Sequence, residues 1–395
     1  MPDSDTPSTI FDRLCETGGD KAKMLAEMVT HFRESHQPME LFEALKMQIR
    51  GRLNLPLISS EHDEPRPEDV EHQLEMGLLD ACREVSDMLF ADGKVAEGWM
   101  YLRPTGDKER GRKRISEIAI TDDNLDAMVQ VLVNEGLDVG RGFAAVVKFQ
   151  GTCNSITLYE QAIATQSRRN QQAAASVLLN HLYDELVGLV RADIARRPRS
   201  NTDVRDSEQE TLLQMMTTRP WLFDDGTYHL DTTHLASTVR IASILDDPVE
   251  WQRAFELCQY GRQLAATYQY PGDEPFVDFY PAYSAYYSVL LGNNHEAGLK
   301  LFERKARTLD TKKHGTAGIE TYIDLLDRSG QAATAIEVAV ELVPSDVPSQ
   351  RLIPRLVELR SHIDSPEQQE RATKMILDYC QRHNDVLGYA AAALS

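Results

Sequence analysis

Apolar residues recur every three or four positions along most of the chain, which is the spacing of amphipathic α-helices. Within residues 126–137, for example, Met128, Leu132 and Leu137 fall near one face, directly after the N-capping sequence TDD. The alternating pattern of a half-buried strand is rare. Its two short exceptions are FAAVVKF (143–149) and TYHLDT (227–232), and we interpret the first as helix because alanine and lysine are poor strand formers.

The stretch 174–197 carries two apolar stripes instead of one. Leucines form the first stripe, and larger or branched residues form the second: Leu178, Leu182, Leu186 and Leu189, then Leu179, Tyr183, Val187, Val190 and Ile194. Two stripes indicate a helix that is packed on two sides, as in a layered helical array. With about eighteen to twenty helices joined by short turns, the pattern predicts an all-α protein, either a bundle or an α-solenoid.

A recurring turn favours the solenoid. Three segments place a glycine at a turn and a small residue five positions later, followed by an apolar helix: Gly93 with Gly98, Gly292 with Ala297, and Gly330 with Ala335. The glycine suits a turn that needs positive φ. The small residue allows the second helix to lie close against the first.

The segments GNNHEAGLKLF and GQAATAIEVAVELVP resemble the turn and second helix of tetratricopeptide (TPR) repeats, over about residues 276–345. The Trp-Leu-Gly pattern of the first TPR helix is absent, because Ser86, Ala285 and Ile323 occupy the position of its glycine. The resemblance implies an architecture, an α–α superhelix of antiparallel helix pairs. It does not imply an activity.

Proline-rich and charged segments suggest where the chain divides. SSEHDEPRPED (59–69) is a linker or surface loop. We predict an N-terminal helical array over residues 1–198 and a C-terminal TPR-like array over 208–395, with a linker or surface loop at 199–207. This division is also compatible with one continuous solenoid.

One short motif, YHLDTTHL (228–235), groups two histidines and an aspartate. Asp231 or Thr232 is well placed to cap the helix that follows, which would put His234 in its first turn. Three interpretations stay open for His229, Asp231 and His234: capping and packing, contact with a ligand or substrate, or a divalent-metal site. The spacing H-x-D-x-x-H matches no specific metal signature.

Residues 268–287 hold eight of the 28 aromatic residues of the chain. Such a cluster either lines a groove for a peptide or small ligand, or pins an irregular, proline-containing connection to the helices. Adjacent units of a solenoid are neighbours in space, so this cluster and the His/Asp motif could share one pocket. The residues that we predict to bind a ligand or partner are Trp221, Tyr228, Arg240, Phe276, Tyr280 and Tyr283.

The net charge of −20 over 395 residues narrows the classes of binding partner that we expect. A chain this acidic repels nucleic acid and anionic membranes unless its basic residues cluster. Short basic clusters occur at DKERGRKR (107–114), SRRN (167–170) and ARRPRS (195–200). They suit solvated helix ends, and the alternatives are a phosphate- or RNA-contacting patch or a surface for an acidic protein.

The five scattered cysteines form no CxxC pair, which argues against a zinc knuckle and fits reduced thiols in a cytosolic compartment. The N-terminal sequence has no apolar signal-peptide region, and no apolar run approaches the ~20 residues of a membrane span. We therefore expect a cytoplasmic protein.

Motifs of common enzymes are missing, including GxxxxGK[ST], GxGxxG, HExxH and GxSxG. We therefore expect a non-enzymatic helical-repeat scaffold, without a cofactor, that binds a protein or peptide in a concave groove. The alternative is an all-α metal-dependent enzyme or small-ligand-binding protein with a His/Asp site near residues 221–287. A third hypothesis is a coat- or assembly-forming solenoid.

Overall fold

The computed structural model describes residues 9–59, 65–200 and 203–395, apart from the side chains of residues 203 and 205. Three sequence predictions fall partly outside these ranges. They are the N-terminal segment up to residue 8, residues 60–64 of the predicted loop at 59–69, and residues 201–202 of the predicted linker at 199–207.

Twenty-one α-helices follow one another in the described residues. In chain order they are α1 (Ile10–Glu16), α2 (Lys21–Glu34), α3 (Pro38–Arg52), α4 (Glu68–Ala91), α5 (Val95–Leu102), α6 (Lys108–Ser116), α7 (Leu125–Val129), α8 (Val139–Leu158), α9 (Arg168–Arg196), α10 (Asp203–Gln209), α11 (Leu212–Thr218), α12 (Thr232–Ile241), α13 (Pro248–Gln263), α14 (Phe279–Leu290), α15 (His295–Thr308), α16 (Thr311–His314), α17 (Ala317–Arg328), α18 (Ala332–Leu342), α19 (Ser349–Ser361), α20 (Pro366–Arg382) and α21 (Val386–Leu394).

The all-α prediction is confirmed for the described ranges. They contain no strand, only an isolated antiparallel bridge between Pro271 and Asp278. The segment FAAVVKF lies inside α8, as its composition predicted. Short 3₁₀ or π segments connect several helices: Arg103–Thr105, Asp122–Asn124, Gln130–Asn134, Tyr159–Ile163, Pro220–Gly226, Ala242–Ile244 and Ala266–Tyr268. None of the described helices has both the length and the apolar character needed to cross a bilayer.

The chain forms two compact units that separate near a break in α8. At the break, Gly151 has φ 80° and ψ 177°, values that a helix cannot accommodate. The first unit contains the chain up to Gly151 together with Gln161–Gln166, and the second contains Thr152–Glu160 and Ser167–Ser395. The predicted arrays over 1–198 and 208–395 stay a prediction, and residues 199–207 lie within the range of the second unit.

In the first unit, α2, α3, α4 and α5 pack in sequence order, each against the next. Two apolar clusters fill this unit. One joins α2, α3 and α4 through Val29, Leu41, Ala44, Leu45, Ala81, Val85 and Leu89. The other surrounds Trp99 of α5 and is formed with Phe90, Val95, Leu102, Ile115, Met128, Val131, Leu132 and Leu137.

The second unit is built around α9 and a run of helix pairs. The long helix α9 contacts α12 and α13, and most residues of its two predicted apolar stripes are buried, although Leu189 of the first stripe is 40% exposed. From α13 onward, the main contacts follow the chain: α13 with α14, α14 with α15, α15 with α17, and then α17, α18, α19, α20 and α21 in turn. The short helix α16 lies between α15 and α17 in sequence.

The three predicted glycine turns all have positive φ: 74° at Gly93, 74° at Gly292 and 78° at Gly330. Gly98 and Ala335 then lie buried against the preceding helix, as expected. The middle repeat differs, because Ala297 is exposed and Gly298 is the buried small residue. The reason is turn length: α15 begins three residues after its turn glycine, whereas α5 and α18 begin two residues after theirs.

Candidate functional site

The second unit contains a groove lined by α17, α18, α19 and the first residue of α9, which we call the α17–α19 groove. It encloses about 490 Å³. Its floor is apolar and is formed by Ile323, Ala339, Val343, Val347 and Leu352. Its rim is charged and carries Arg168, Glu320, Asp324, Arg351, Arg355 and Glu358. An apolar floor with a few polar groups at its edge is the usual composition of a ligand-binding site.

Helical spacing explains why apolar residues reach the floor. Val343 is the C-cap residue of α18 and follows Ala339 by one turn, so both reach the groove. Leu352 and Arg355 are three residues apart on α19 and thus project together. Val347 belongs to the proline-containing connection between α18 and α19, which also contributes to the lining of the groove.

Ion pairs tie the rim together across helices. Arg351 of α19 lies 2.9 Å from Glu320 of α17, and the Thr316 hydroxyl donates to the same carboxylate at 2.7 Å. Arg355 contacts Glu358 at 2.7 Å and Asp327 of α17 at 3.0 Å. The Arg351 side chain is 69% exposed and that of Arg355 is 32% exposed, so both guanidinium groups retain contact with solvent.

A buried arginine, Arg328, contacts a rim residue of the groove and the segment after α12. The Arg328 side chain, only 8% exposed, lies 3.2 Å from rim residue Asp324 and donates to the Tyr286 hydroxyl at 2.6 Å. It also donates to the backbone carbonyl of Ser243 at 2.7 Å and to that of Leu245. Because these partners come from three elements, Arg328 fixes the position of α17 relative to the segment after α12.

The same segment is held from the other side by α9. Arg168 donates to Asp246 at 3.0 Å and to the Ile244 carbonyl at 3.3 Å, and Gln172 donates to that carbonyl at 3.0 Å. Residues 243–246 are therefore clamped between α9 and α17. This clamp places Arg168 at the rim of the groove.

His229, from the predicted His/Asp motif, is buried between two partners that the sequence did not indicate. Its Nδ1 lies 2.9 Å from the Tyr260 hydroxyl, and its Nε2 lies 3.2 Å from Asp193 Oδ2. The backbone N–H of His229 also donates to the Tyr260 hydroxyl, at 2.8 Å. These contacts fit a neutral ring that donates from Nε2 to Asp193 and accepts the Tyr260 proton at Nδ1.

Burial and charge shift the pKa values of this trio. Burial raises the pKa of the Asp193 carboxyl, but hydrogen bonds from Arg197, Arg196 and His229 outweigh it and hold the pKa well below its usual range. Burial lowers the pKa of His229, and this effect exceeds the opposing influence of Asp193. Burial raises the pKa of Tyr260. The trio is therefore an anion, a neutral imidazole and a neutral phenol at neutral pH.

Asp231 caps α12, as the sequence predicted. Its Oδ1 accepts hydrogen bonds from the backbone N–H of Thr233 at 2.8 Å and of His234 at 3.3 Å. His234 occupies the third position of the helix. In the part of the chain that the structure describes, no three His, Cys, Asp or Glu side chains are grouped to hold a metal ion. The metal site at His229, Asp231 and His234 stays a prediction.

The predicted partner-binding residues lie in different surroundings. Tyr280 and Tyr283 are 0% and 4% exposed, and Phe276 stacks on Tyr283 at a ring distance of 3.9 Å. Trp221 is also buried, and the guanidinium groups of Arg197 and Arg199 lie over its ring at 5.2 and 5.0 Å.

Two of the predicted residues are more exposed. Tyr228 is 48% exposed and contacts Tyr268, with ring centroids 4.7 Å apart, whereas Arg240 forms an ion pair with Glu160. The structure thus places the aromatic residues of 276–287 mainly in a core, and their partner-binding role stays a prediction.

The sequence contained signals for Asp193 and for the groove residues, which were not among the predicted site residues. Asp193 interrupts an apolar face of α9 next to Val190 and Ile194, and arginines follow it three and four positions later. A carboxylate at a buried position with adjacent arginines indicates a buried ion pair. The sequence indicated the groove less clearly, because VPSDVPS (343–349) has the composition of an ordinary proline-containing turn.

Comparison of the chain with protein-family models, curated proteins and solved structures finds no match in any of the three.

Proposed function

We propose that this protein is a non-enzymatic, TPR-like helical scaffold that binds a protein or peptide segment in the α17–α19 groove. The observation that carries the proposal is the groove itself, a space of about 490 Å³ with an apolar floor and a charged rim, formed by three consecutive helices. The glycine turns and the sequential helix pairs support the TPR-like architecture.

The size and chemistry of the groove favour a peptide with apolar anchor residues. About 490 Å³ accommodates a few large side chains. The rim offers both guanidinium and carboxylate groups, which would pair with polar groups of the peptide and fix its register. All five cysteines are free thiols, which is compatible with the proposed cytoplasmic location.

The test is a selection of random peptides on the full-length protein, followed by binding measurements with two matched variants. Val343→Trp fills the floor of the groove, and Val249→Trp places the same residue at a position that is 65% exposed on α13. We expect Val343→Trp to weaken the selected peptides by about tenfold or more and Val249→Trp to leave their affinity within about twofold.

Circular dichroism melting of both variants confirms that each is folded. Failure of the selection to enrich any peptide would count against the proposal. Equal binding by wild type and the folded Val343→Trp variant would also contradict it, because an occupied floor cannot bind an anchor residue.

A further inference from the structure

A basic surface lies on the first unit, far in sequence from the α17–α19 groove. Between residues 103 and 117 the chain has six basic and three acidic residues, whereas the whole chain has a net charge of −20. Most of these basic residues lie on α6. Gly111 and Ile115 turn toward the core and are buried, so the charged side chains occupy the remaining faces of the helix.

Two arginines of this surface share one carboxylate. Asp87 of α4 accepts from Arg110 Nε and Nη2 at 3.1 and 2.6 Å, and from Arg114 Nε and Nη2 at 2.9 and 3.0 Å. Because two guanidinium groups are held by one carboxylate, the cluster retains a positive charge. The side chains of Arg110 and Arg114 are 37% and 41% exposed.

The shared carboxylate also fixes the direction of both guanidinium groups. Each guanidinium has five N–H donors, and only two of them are used by Asp87. Among the described residues, the hydrogen bonds of Arg110 and Arg114 use Nε and Nη2, which leaves Nη1 for an external acceptor. A planar fork that is already oriented loses little conformational entropy when it binds a carboxylate, which favours recognition.

A lysine extends the cluster. Lys113 is exposed and lies three positions from Arg110, so it borders the paired arginines. Lys108 and Arg112 lie on the opposite side of α6, where Arg112 donates to the Leu137 carbonyl at 2.7 Å and pairs with Glu109 at 3.1 Å. Arg141 fixes the end of α6 by donating to the Ile115 carbonyl at 2.8 Å.

We propose that the basic surface formed by Arg110, Lys113 and Arg114 binds an acidic protein segment. Two oriented arginines beside a lysine match a run of Asp and Glu side chains, since carboxylates accept bidentate hydrogen bonds from arginine. Nucleic acid is a poorer match. The net charge of −20 repels any polyanion at long range, an acidic peptide included; what disfavours nucleic acid is that α6 carries no aromatic side chain on which a base could stack.

The proposal is tested by fluorescence anisotropy with a labelled glutamate decapeptide and the full-length protein. The variant Lys113→Glu reverses one charge of the surface and leaves the contacts of Asp87 in place. The matched control is Lys300→Glu, which makes the same change in net charge at an exposed position of α15. We expect the first variant to lose about fivefold in affinity at low ionic strength and the control to lose less than about twofold.

Wild-type binding should weaken as ionic strength rises from about 0.01 M to about 0.15 M, because salt screens the attraction. Equal losses in the two variants would overturn the proposal, as would no binding below about 100 µM peptide. A single-stranded RNA decanucleotide that bound as tightly as the peptide would overturn the assignment to an acidic protein segment. None of these outcomes depends on the α17–α19 groove.

Discussion

His229 connects parts of the second unit that lie far apart in the sequence. Asp193 precedes it by 36 residues, and Tyr260 follows it by 31. The sequence indicated that capping accounts for Asp231 but not for His229, and the structure supplies the reason. The imidazole bridges α9 and α13, so the segment before α12 is attached to both helices.

The Tyr260 hydroxyl should contribute measurably to stability. Replacing Tyr260 with Phe removes the acceptor of the His229 backbone N–H and leaves that buried donor unpaired. We expect Tyr260→Phe to lower the free energy of unfolding by about 1–3 kcal/mol, measured by denaturant titration of the full-length protein.

Tyr280 provides the matched control, since it is as fully buried as Tyr260. Its hydroxyl is buried without a hydrogen-bond partner among the described residues. Tyr280→Phe should therefore change the free energy of unfolding by less than about 0.5 kcal/mol or increase it. Equal destabilisation by the two substitutions would mean that the Tyr260 hydrogen bonds contribute nothing beyond the loss of a hydroxyl.

At the scale of elements, the sequence predicted the type of secondary structure better than the contacts between helices. Periodicity alone identified the helical class. The glycines at 93, 292 and 330 predicted turns, and the structure gives all three a positive φ. The close contact at the middle repeat was assigned to Ala297 because a fixed spacing of five was assumed. One additional turn residue shifts the contact to Gly298, and local periodicity does not report turn length.

Replacement by alanine should have opposite effects on the free energy of unfolding at two helical glycines of the second unit, Gly298 and Gly188. A Cβ at Gly298 would lie 2.3 Å from Val289 Cγ2, so Gly298→Ala should lower the free energy of unfolding by about 1–3 kcal/mol through overpacking. A Cβ at Gly188 in α9 would meet nothing within 4 Å. Gly188→Ala should raise that free energy by about 0.5–1 kcal/mol, because alanine is the better helix former.

Denaturant titrations of the two variants measure both effects in the same unit. Stabilisation by Gly298→Ala would contradict the close approach of α14 and α15 at this position. Destabilisation by Gly188→Ala would contradict the open surface at α9.

At the scale of the whole molecule, charge is distributed unevenly. The chain has a net charge of −20, yet its first unit has a basic surface on α6. Its second unit has a groove whose rim carries both arginine and carboxylate side chains. The sequence located the basic cluster at 107–114, but it did not show that Asp87 orients two of its arginines, and it did not locate the groove, since both depend on which residues the packing brings together. Ion pairs such as Arg110–Asp87 join residues that are 23 positions apart.

His229 links the stability of the whole molecule to pH. Its pKa in the folded protein lies below the unfolded value of about 6.5, so the unfolded chain takes up its proton first. Its contribution to stability is therefore full above pH ~6.5 and is lost as the pH falls through the folded pKa.

The variant His229→Gln isolates this contribution, because glutamine keeps an N–H donor but does not titrate. The free energies of unfolding of wild type and variant should be compared by denaturant titration between about pH 7.5 and about pH 5.5. We expect the stability difference between them to shrink below pH ~6.5 by up to about 1.4 kcal/mol per pH unit. Asp193 does not interfere in this window, since its pKa lies far lower. A difference that stayed constant across the window would show that burial does not hold His229 neutral, and one that grew would show that Asp193 favours its charged form.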